Sequence, residues 1–394
     1  MIKIPDKRQV QTFFTFFLIT LSSISFTESI KASDDPLWLQ PFRQCWAYPS
    51  ENILADKIAS DNVKAFIPYP SGTIEAIDIF TGNNVWTTRL GGETTARILT
   101  SEKSIFVINA SKPPETSASK SSENPQPEAN PNISISALDS GTGVTIWKKN
   151  FEFDSKIDVY STDKLLIVVS REGRITLIKQ EDGSIAQKLD LKQEVTSSDA
   201  LTDKIILGTK DKIYVLSTAD QSALKEIKAI KEINVRDEPV SFMLDPERIF
   251  WGDKKGLLNS SKLSDGGIIW KRRFGAAISN ITDNRRGIFV SSVDNFVYLL
   301  NKTNGKIKWK RRLAARVTEK PFIKDNIALI FPFGESTALF INLNDGRIVN
   351  SLTLSDANYF TGFPAYEREI LVFPTLKGLY AFGAACPSSE KTGV

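Results

Sequence analysis

The chain has 394 residues, 41% of them hydrophobic, with 50 basic against 46 acidic side chains and a formal net charge of +4. It contains no histidine and only two cysteines, Cys45 and Cys386. That composition excludes Ser-His-Asp and Cys-His nucleophilic sites, imidazole metal ligands and a cysteine-only zinc site. The length allows two or three domains or one large all-β domain, with core enough to fold without a metal or disulfide staple.

At the N-terminus, Lys3, Lys7 and Arg8 precede an apolar run over 13–26 (FFTFFLITLSSISF). The run falls short of the roughly 20 residues that span a bilayer. A basic start, a short apolar middle and the small Ala32 predict a secretory signal peptide over 1–32; an uncleaved anchor is the alternative. No second long apolar stretch follows, so the mature chain is expected to be an exported, soluble protein of the periplasm or exterior, without a membrane span. Cys45 is too distant from the apolar run to be a lipid-attachment residue.

Beyond residue 32 one pattern recurs: a short β-type run, a glycine turn, then Trp or a substitute four residues later. It occurs at 76–86 (AIDIFTGNNVW), 137–147 (ALDSGTGVTIW), 262–270 (KLSDGGIIW) and 300–309 (LNKTNGKIKW), and in degraded form at 178–187 and 341–350. The turn glycines, Gly82, Gly143, Gly183, Gly266, Gly305 and Gly346, are spaced by 61, 40, 83, 39 and 41 residues. The interval of 83 hides a copy that has lost its glycine, around 214–223, and the excess in the interval of 61 matches 111–132. That stretch is rich in Pro, Ser, Asn and Glu and is expected to be a disordered insertion loop in the second blade. Two further β-rich runs precede each turn, such as 96–100 and 104–109, which makes four strands per repeat of about 40 residues.

An eighth copy is split between the chain ends. The run at 378–382 (GLYAF) resembles the strand before each turn, and then the chain stops. The missing strand carries Trp followed four residues later by Leu or Phe, as in Trp86 and Leu90, Trp147 and Phe151, Trp270 and Phe274, or Trp309 and Leu313. Trp38 and Phe42 repeat that spacing. The expectation is therefore an all-β, eight-bladed β-propeller of four-stranded antiparallel blades over 33–386, its last blade closed by the N-terminal strand, with 387–394 as a flexible tail. Closure removes the exposed sheet edges of a linear array.

The Asp-x-x-Thr-Gly turn followed by Trp, complete in Asp78, Thr81, Gly82 and Trp86 and nearly so in Asp139, Thr142, Gly143 and Trp147, resembles the PQQ-like repeat family. Within it the chain is most similar to BamB-type members. The resemblance implies an exported, non-catalytic scaffold in outer-membrane β-barrel protein assembly, with no cofactor and with envelope proteins as partners. The quinoprotein dehydrogenases of the same superfamily imply the alternative, a PQQ-dependent enzyme acting on alcohols or sugars. Such a site would need Ca²⁺ ligands, and many of these enzymes carry adjacent cysteines; this chain has none adjacent.

Trp38, Trp86, Trp147, Trp270 and Trp309 recur at one repeat position and are expected to pack between blades rather than to form aromatic platforms. Cys45 and Cys386 sit near opposite ends of a chain expected to be exported, and both a closing disulfide and two free thiols are compatible with the sequence. Between residues 267 and 325 there are fourteen Lys or Arg against four Asp or Glu, so the small total averages a sector of +10 with a remainder of −6. The candidate partner-binding residues of that sector are Lys271, Arg272, Arg273, Arg285, Arg286, Lys310, Arg311, Arg312 and Arg316. They either protect outer strands against edge pairing or dock an acidic protein surface or lipid headgroups. Outer strands also offer edges for β-augmentation by an extended peptide. Nucleic acid is not an expected partner.

Overall fold

Short runs of Ile, Val, Leu and Phe alternate with Gly, Asp and Asn turns along the chain, a pattern that pairs into antiparallel hairpins. The computed structural model describes residues 39–50, 58–91, 94–111, 132–152, 156–201, 204–217, 229–355, 358–362 and 364–386. Thirty-two strands within them form eight four-stranded sheets. Seven are consecutive meanders, blades one to seven, over residues 59–89, 94–152, 157–190, 197–234, 239–273, 278–312 and 322–353. Blade eight joins three strands from 365–383 to Arg43–Pro49, which pairs antiparallel with Gly378–Gly383. The predicted signal peptide, the insertion at 112–131 and the tail at 387–394 lie outside the described residues.

Successive side chains of a strand point to opposite faces of its sheet, so each blade is shared between two neighbours. On the second strand of blade two, Ser104–Ser111, Ile105 and Val107 pack with blade one, while Phe106 and Ile108 pack with blade three. Among the described residues the buried apolar side chains gather into eight clusters, each spanning two consecutive blades. One of them joins Val372 and Leu379 of blade eight to Ile67 and Ile79 of blade one. Eight joints for eight blades describe a closed propeller; an open row would have one fewer. First strands of consecutive blades touch, as Pro239–Leu244 and Ile278–Asn284 do. They surround the axis, and the fourth strands form the rim.

Tryptophan links one blade to the turn of the next. The indole Nε1 of Trp46, Trp86, Trp147, Trp270 and Trp309 donates to the carbonyl of Ile79, Ser140, Gln180, Lys302 and Leu343 respectively, at 2.8–3.1 Å. Each acceptor lies three residues before a turn glycine, and the ring covers that glycine. A Cβ built on Gly82, Gly143, Gly183, Gly305 or Gly346 would lie 2.5–2.7 Å from the indole. The glycines also have φ of +67° to +73°, so both backbone and space demand glycine.

In blade eight this position belongs to Trp46 rather than Trp38, which lies outside the described residues. Trp46 pairs with Ala381 just as Trp86 pairs with Ala76 and Trp147 with Ala137. Trp46 escapes the sequence pattern because Ser50, not Leu or Phe, follows it by four residues. Phe42 instead reaches blade seven, stacking on Phe340 with centroids 5.0 Å apart.

Cys45 and Cys386 are bonded, with Cα atoms 5.1 Å apart. In every other blade the third and fourth strands follow one another along the chain, whereas blade eight takes those strands from opposite chain ends. The disulfide supplies the covalent connection at that missing turn. Replacing both cysteines by serine should cost about 2–5 kcal/mol of unfolding free energy, and a denaturing, non-reducing thiol titration of the native protein should find no free thiol. Gly143→Ala should destabilise the fold by about 1–3 kcal/mol more than Gly91→Ala in urea titrations. Both glycines have positive φ, but only Gly143 has an indole in the way; a Cβ on Gly91 meets nothing within 4 Å.

Candidate functional site

The outermost strands of blades five and six, Ile268–Arg273 and Ile307–Arg312, end in the triplets Lys271, Arg272, Arg273 and Lys310, Arg311, Arg312. Strand alternation separates their roles. Lys271, Arg273, Lys310 and Arg312 are exposed, whereas Arg272 and Arg311 are half-buried. Arg311 pairs with Val297 and Arg272 with Leu258, the register at which Thr88 pairs with Ile74 in blade one. That register faces the next blade's turn. The Thr88 hydroxyl donates to the Gly143 carbonyl at 2.7 Å, and Arg311 Nε donates to the Gly346 carbonyl. Arg272 Nε is buried in the corresponding joint with no hydrogen-bond partner. Two of the nine sector residues therefore belong to the joints between blades.

The remainder do not form one patch. Arg273 pairs with Leu257 and donates to the Lys255 carbonyl at 2.7 Å; Arg312 pairs with Phe296, and Lys310 lies over the Phe296 ring at 5.8 Å. Arg316, in the connection to blade seven, stacks over Phe333 at 4.9 Å. Arg273, Lys310 and Arg312 occupy the rim near the second-to-third-strand loops, whereas Arg316 lies inward, on the first-strand side of blade seven. Arg285 and Arg286 lie at the tip of the first hairpin of blade six, at the opposite end of its strands, beside the turn at 301–306. Counting charge along the chain merges two faces, because each strand carries its residues from one end of the blade to the other.

At the axis, polar groups from different blades meet without any sequence motif to announce them. The Tyr160 hydroxyl donates to Ser198 Oγ at 2.9 Å, and Ser198 Oγ donates to Asp158 at 2.6 Å, linking blades three and four. Burial is the main cause that pushes the Tyr160 hydroxyl well above its ordinary range. Lys320, before blade seven, lies 3.8 Å from Asp199 of blade four; only proximity at the axis brings such distant blades together. These contacts tie inner strands. Cys45 and Cys386 are joined to each other, and among the described residues no group of three or more Asp, Glu or Cys converges as metal ligands. No described helix is long and apolar enough to cross a membrane.

Eight four-stranded blades, five of whose joints are made by tryptophan over a turn glycine, define a propeller of the PQQ-like repeat class. The chain belongs to the family described as outer membrane protein assembly factor BamB, whose model matches residues 131–229 and 233–362. A relative from Yersinia pestis named outer membrane protein assembly factor BamB is 21% identical over 326 residues, covering 79% of this chain and 80% of the relative. Among solved structures, BamB from Moraxella catarrhalis superposes with a TM-score of 0.63 at 13% identity, covering 87% of this chain and 99% of that one. The computationally designed Ika8 protein gives 0.67 at 11% identity, covering 86% and 99%. These two likenesses establish the fold.

The division within the triplets can be checked by stability alone. Arg311→Ala should lower the unfolding free energy by about 1.5–3 kcal/mol through loss of a charged hydrogen bond at the joint between blades six and seven. Lys310→Ala, from the exposed side of the same strand, should stay within about 0.5 kcal/mol of the parent.

Proposed function

We propose that the protein is an exported, non-catalytic scaffold of the bacterial cell envelope that serves outer-membrane β-barrel protein assembly. The rim of blades five and six is its docking surface for an acidic partner protein. The observation that carries the reading is the family match across blades two to seven, together with the relative named as an assembly factor. The docking surface is supported by the exposure of Lys271, Arg273, Lys310 and Arg312. Positive charge of this kind speeds encounter with an acidic surface and selects against basic ones. A rigid ring suits the task, since its joints hold the rim without any chemistry at the axis.

The rim also carries strand edges that pair with no other described strand, and exposed aliphatic residues such as Val85, Ile146, Ile269 and Ile307 stand along them. Extended peptides can add to edges of this kind, with backbone hydrogen bonds supplying affinity. Lysine and arginine on the same strands counter indiscriminate pairing, so the two uses of charge considered from sequence are compatible.

Crosslinking capture from envelope extracts tests the reading. A variant with Lys271, Arg273, Lys310 and Arg312 all changed to Glu should lose the partner captured by the parent while keeping its melting temperature within a few degrees. Undiminished capture by that variant would remove the rim from the proposal, and capture of no envelope protein by the parent would remove the scaffold role.

A further inference from the structure

Blade six departs from its neighbours at one end in a way that turn geometry does not require. The turns of this propeller are capped by side-chain oxygens that accept backbone N–H groups, an arrangement Asp and Asn support equally. Asp61 caps the first hairpin of blade one and Asp245 that of blade five. Asp78 and Asp139 cap the third-to-fourth-strand turns of blades one and two, and Asp182, Asp265 and Asp345 cap those of blades three, five and seven. In blade six the first-hairpin cap and both capping positions of the third-to-fourth-strand turn are asparagine; blade seven shares asparagine only at Asn342, the counterpart of Asn301, and keeps the acid Asp345. Asn284 accepts from the Arg286 N–H at 2.7 Å, Asn301 from Thr303 at 2.8 Å and Asn304 from Lys306 at 2.9 Å. The hydrogen bonds are kept and the negative charge is gone.

Positive charge takes its place. The rim strand of each of blades one to seven has one residue bulged between its first pairs, immediately before the tryptophan position. It is Val85, Ile146, Ala186, Ile230, Ile269 and Val349 in the other six, and Lys308 in blade six. Lys308 Nζ donates to the Arg286 carbonyl, which brings it to the first hairpin. Arg285 and Arg286 form the tip of that hairpin, and Arg286 Nε is steadied by Asn326 Oδ1 of blade seven at 3.2 Å.

Between hairpin and turn lies an open cavity of about 330 Å³, lined by Asn284, Arg285, Arg286, Gly287, Asn301 and Lys308, with Asp283, Lys302 and Thr303. Its single acid, Asp283, is neutralised by Lys302 at 2.8 and 2.9 Å. Lys302 also lies 3.6 Å from Asp245, which leaves Arg285, Arg286 and Lys308 as the uncompensated charges. Gly287 has a φ of +151°, and a Cβ there would lie 2.1 Å from the Leu300 carbonyl oxygen, so the hairpin base is held close to the third strand. Guanidinium forks and an ammonium around a small open cavity suit a tetrahedral oxyanion.

We propose that this end of blade six is a binding site for a phosphate group, held by Arg285, Arg286 and Lys308. Loose, solvated loop charge would not account for two neutral caps, Asn284 and Asn301, and one basic bulge residue lining the same cavity, with a third neutral cap, Asn304, in the adjoining turn. The site is separate from the rim surface assigned above to a protein partner, and none of the rim residues chosen for that test lines it.

Calorimetric titration of the purified protein with inorganic phosphate, at low ionic strength, tests the proposal without any partner. The parent should bind saturably. Asn284→Asp/Asn301→Asp/Asn304→Asp places at each cap an acid that at least two other blades carry there while retaining every cap, and should weaken binding at least tenfold with an unchanged melting temperature. Arg285→Gln/Lys308→Gln should do the same. Flotation with vesicles of phosphatidylglycerol, against phosphatidylcholine alone, then separates the sources. Co-flotation that the triple Asp variant abolishes assigns a lipid headgroup, and phosphate binding without co-flotation assigns a soluble phosphorylated compound. Absence of saturable phosphate binding by the parent, or equal binding by the triple Asp variant, would overturn the site.

Discussion

The ring depends on one contact made five times among the described blades: an indole that covers the next blade's turn glycine and donates to the carbonyl three residues earlier. A single blade has two apolar faces and cannot bury either alone, so its stability comes from its neighbours. The indole adds direction to that burial. Its large apolar ring closes the gap at the rim, where blades splay apart, and its N–H satisfies a turn carbonyl that would otherwise lose water without gaining a partner. Because the glycine position admits no side chain, each contact also sets the distance between two blades.

Where the contact is missing, other devices stand in. Gln187 and Lys231 hold the tryptophan register in blades three and four, and the joints beyond them rest on apolar clusters that include Tyr214, Phe242 and Trp251. In blade seven Asn350 holds it, and its side-chain amide donates to the Gln40 carbonyl at 2.7 Å. The N-terminal segment thus crosses from blade eight to blade seven, and Phe42 on Phe340 fastens it there. The disulfide then connects two strands that no turn can connect. Closure is therefore secured three times within a few residues, at the one place where the chain itself supplies no covalent continuity.

Repetition governed what could be read from the amino-acid order. Gly82, Gly143, Gly305 and Gly346 recur because the same indole presses on each, and a constraint repeated at a fixed period is visible without any structure. Trp46 obeys the same constraint but lacks the second half of its spacing pattern, while Trp38 and Phe42 imitate that pattern by coincidence of spacing. The pairing of Cys45 with Cys386 was undecidable for a related reason: Cys45 sits on a bulge of the rim strand, and a bulge shifts register by a residue that counting does not reveal. The axial contacts of Asp158, Tyr160, Ser198, Asp199 and Lys320 were invisible, since only ring closure brings those segments together.

The same reasoning separates structure from function on this fold. Positions that every blade needs are filled alike, so a residue that matches its counterparts, as Arg311 matches Thr88 in reaching a turn carbonyl, is accounted for by the joint. A residue that departs from its counterparts while the local geometry stays the same is not. Asn284, Asn301 and Asn304 make the hydrogen bonds that Asp makes at the same positions in other blades, so folding is indifferent to the exchange and only the electrostatic field registers it. Lys308 likewise occupies a bulge that an aliphatic side chain fills equally well. A propeller holds its repeat constraints in the joints and frees the ends of its blades. Its internal repeats thus act as controls for one another, and the departure at one end of blade six, which the joints do not require, is what sets the proposed phosphate site apart from structural charge.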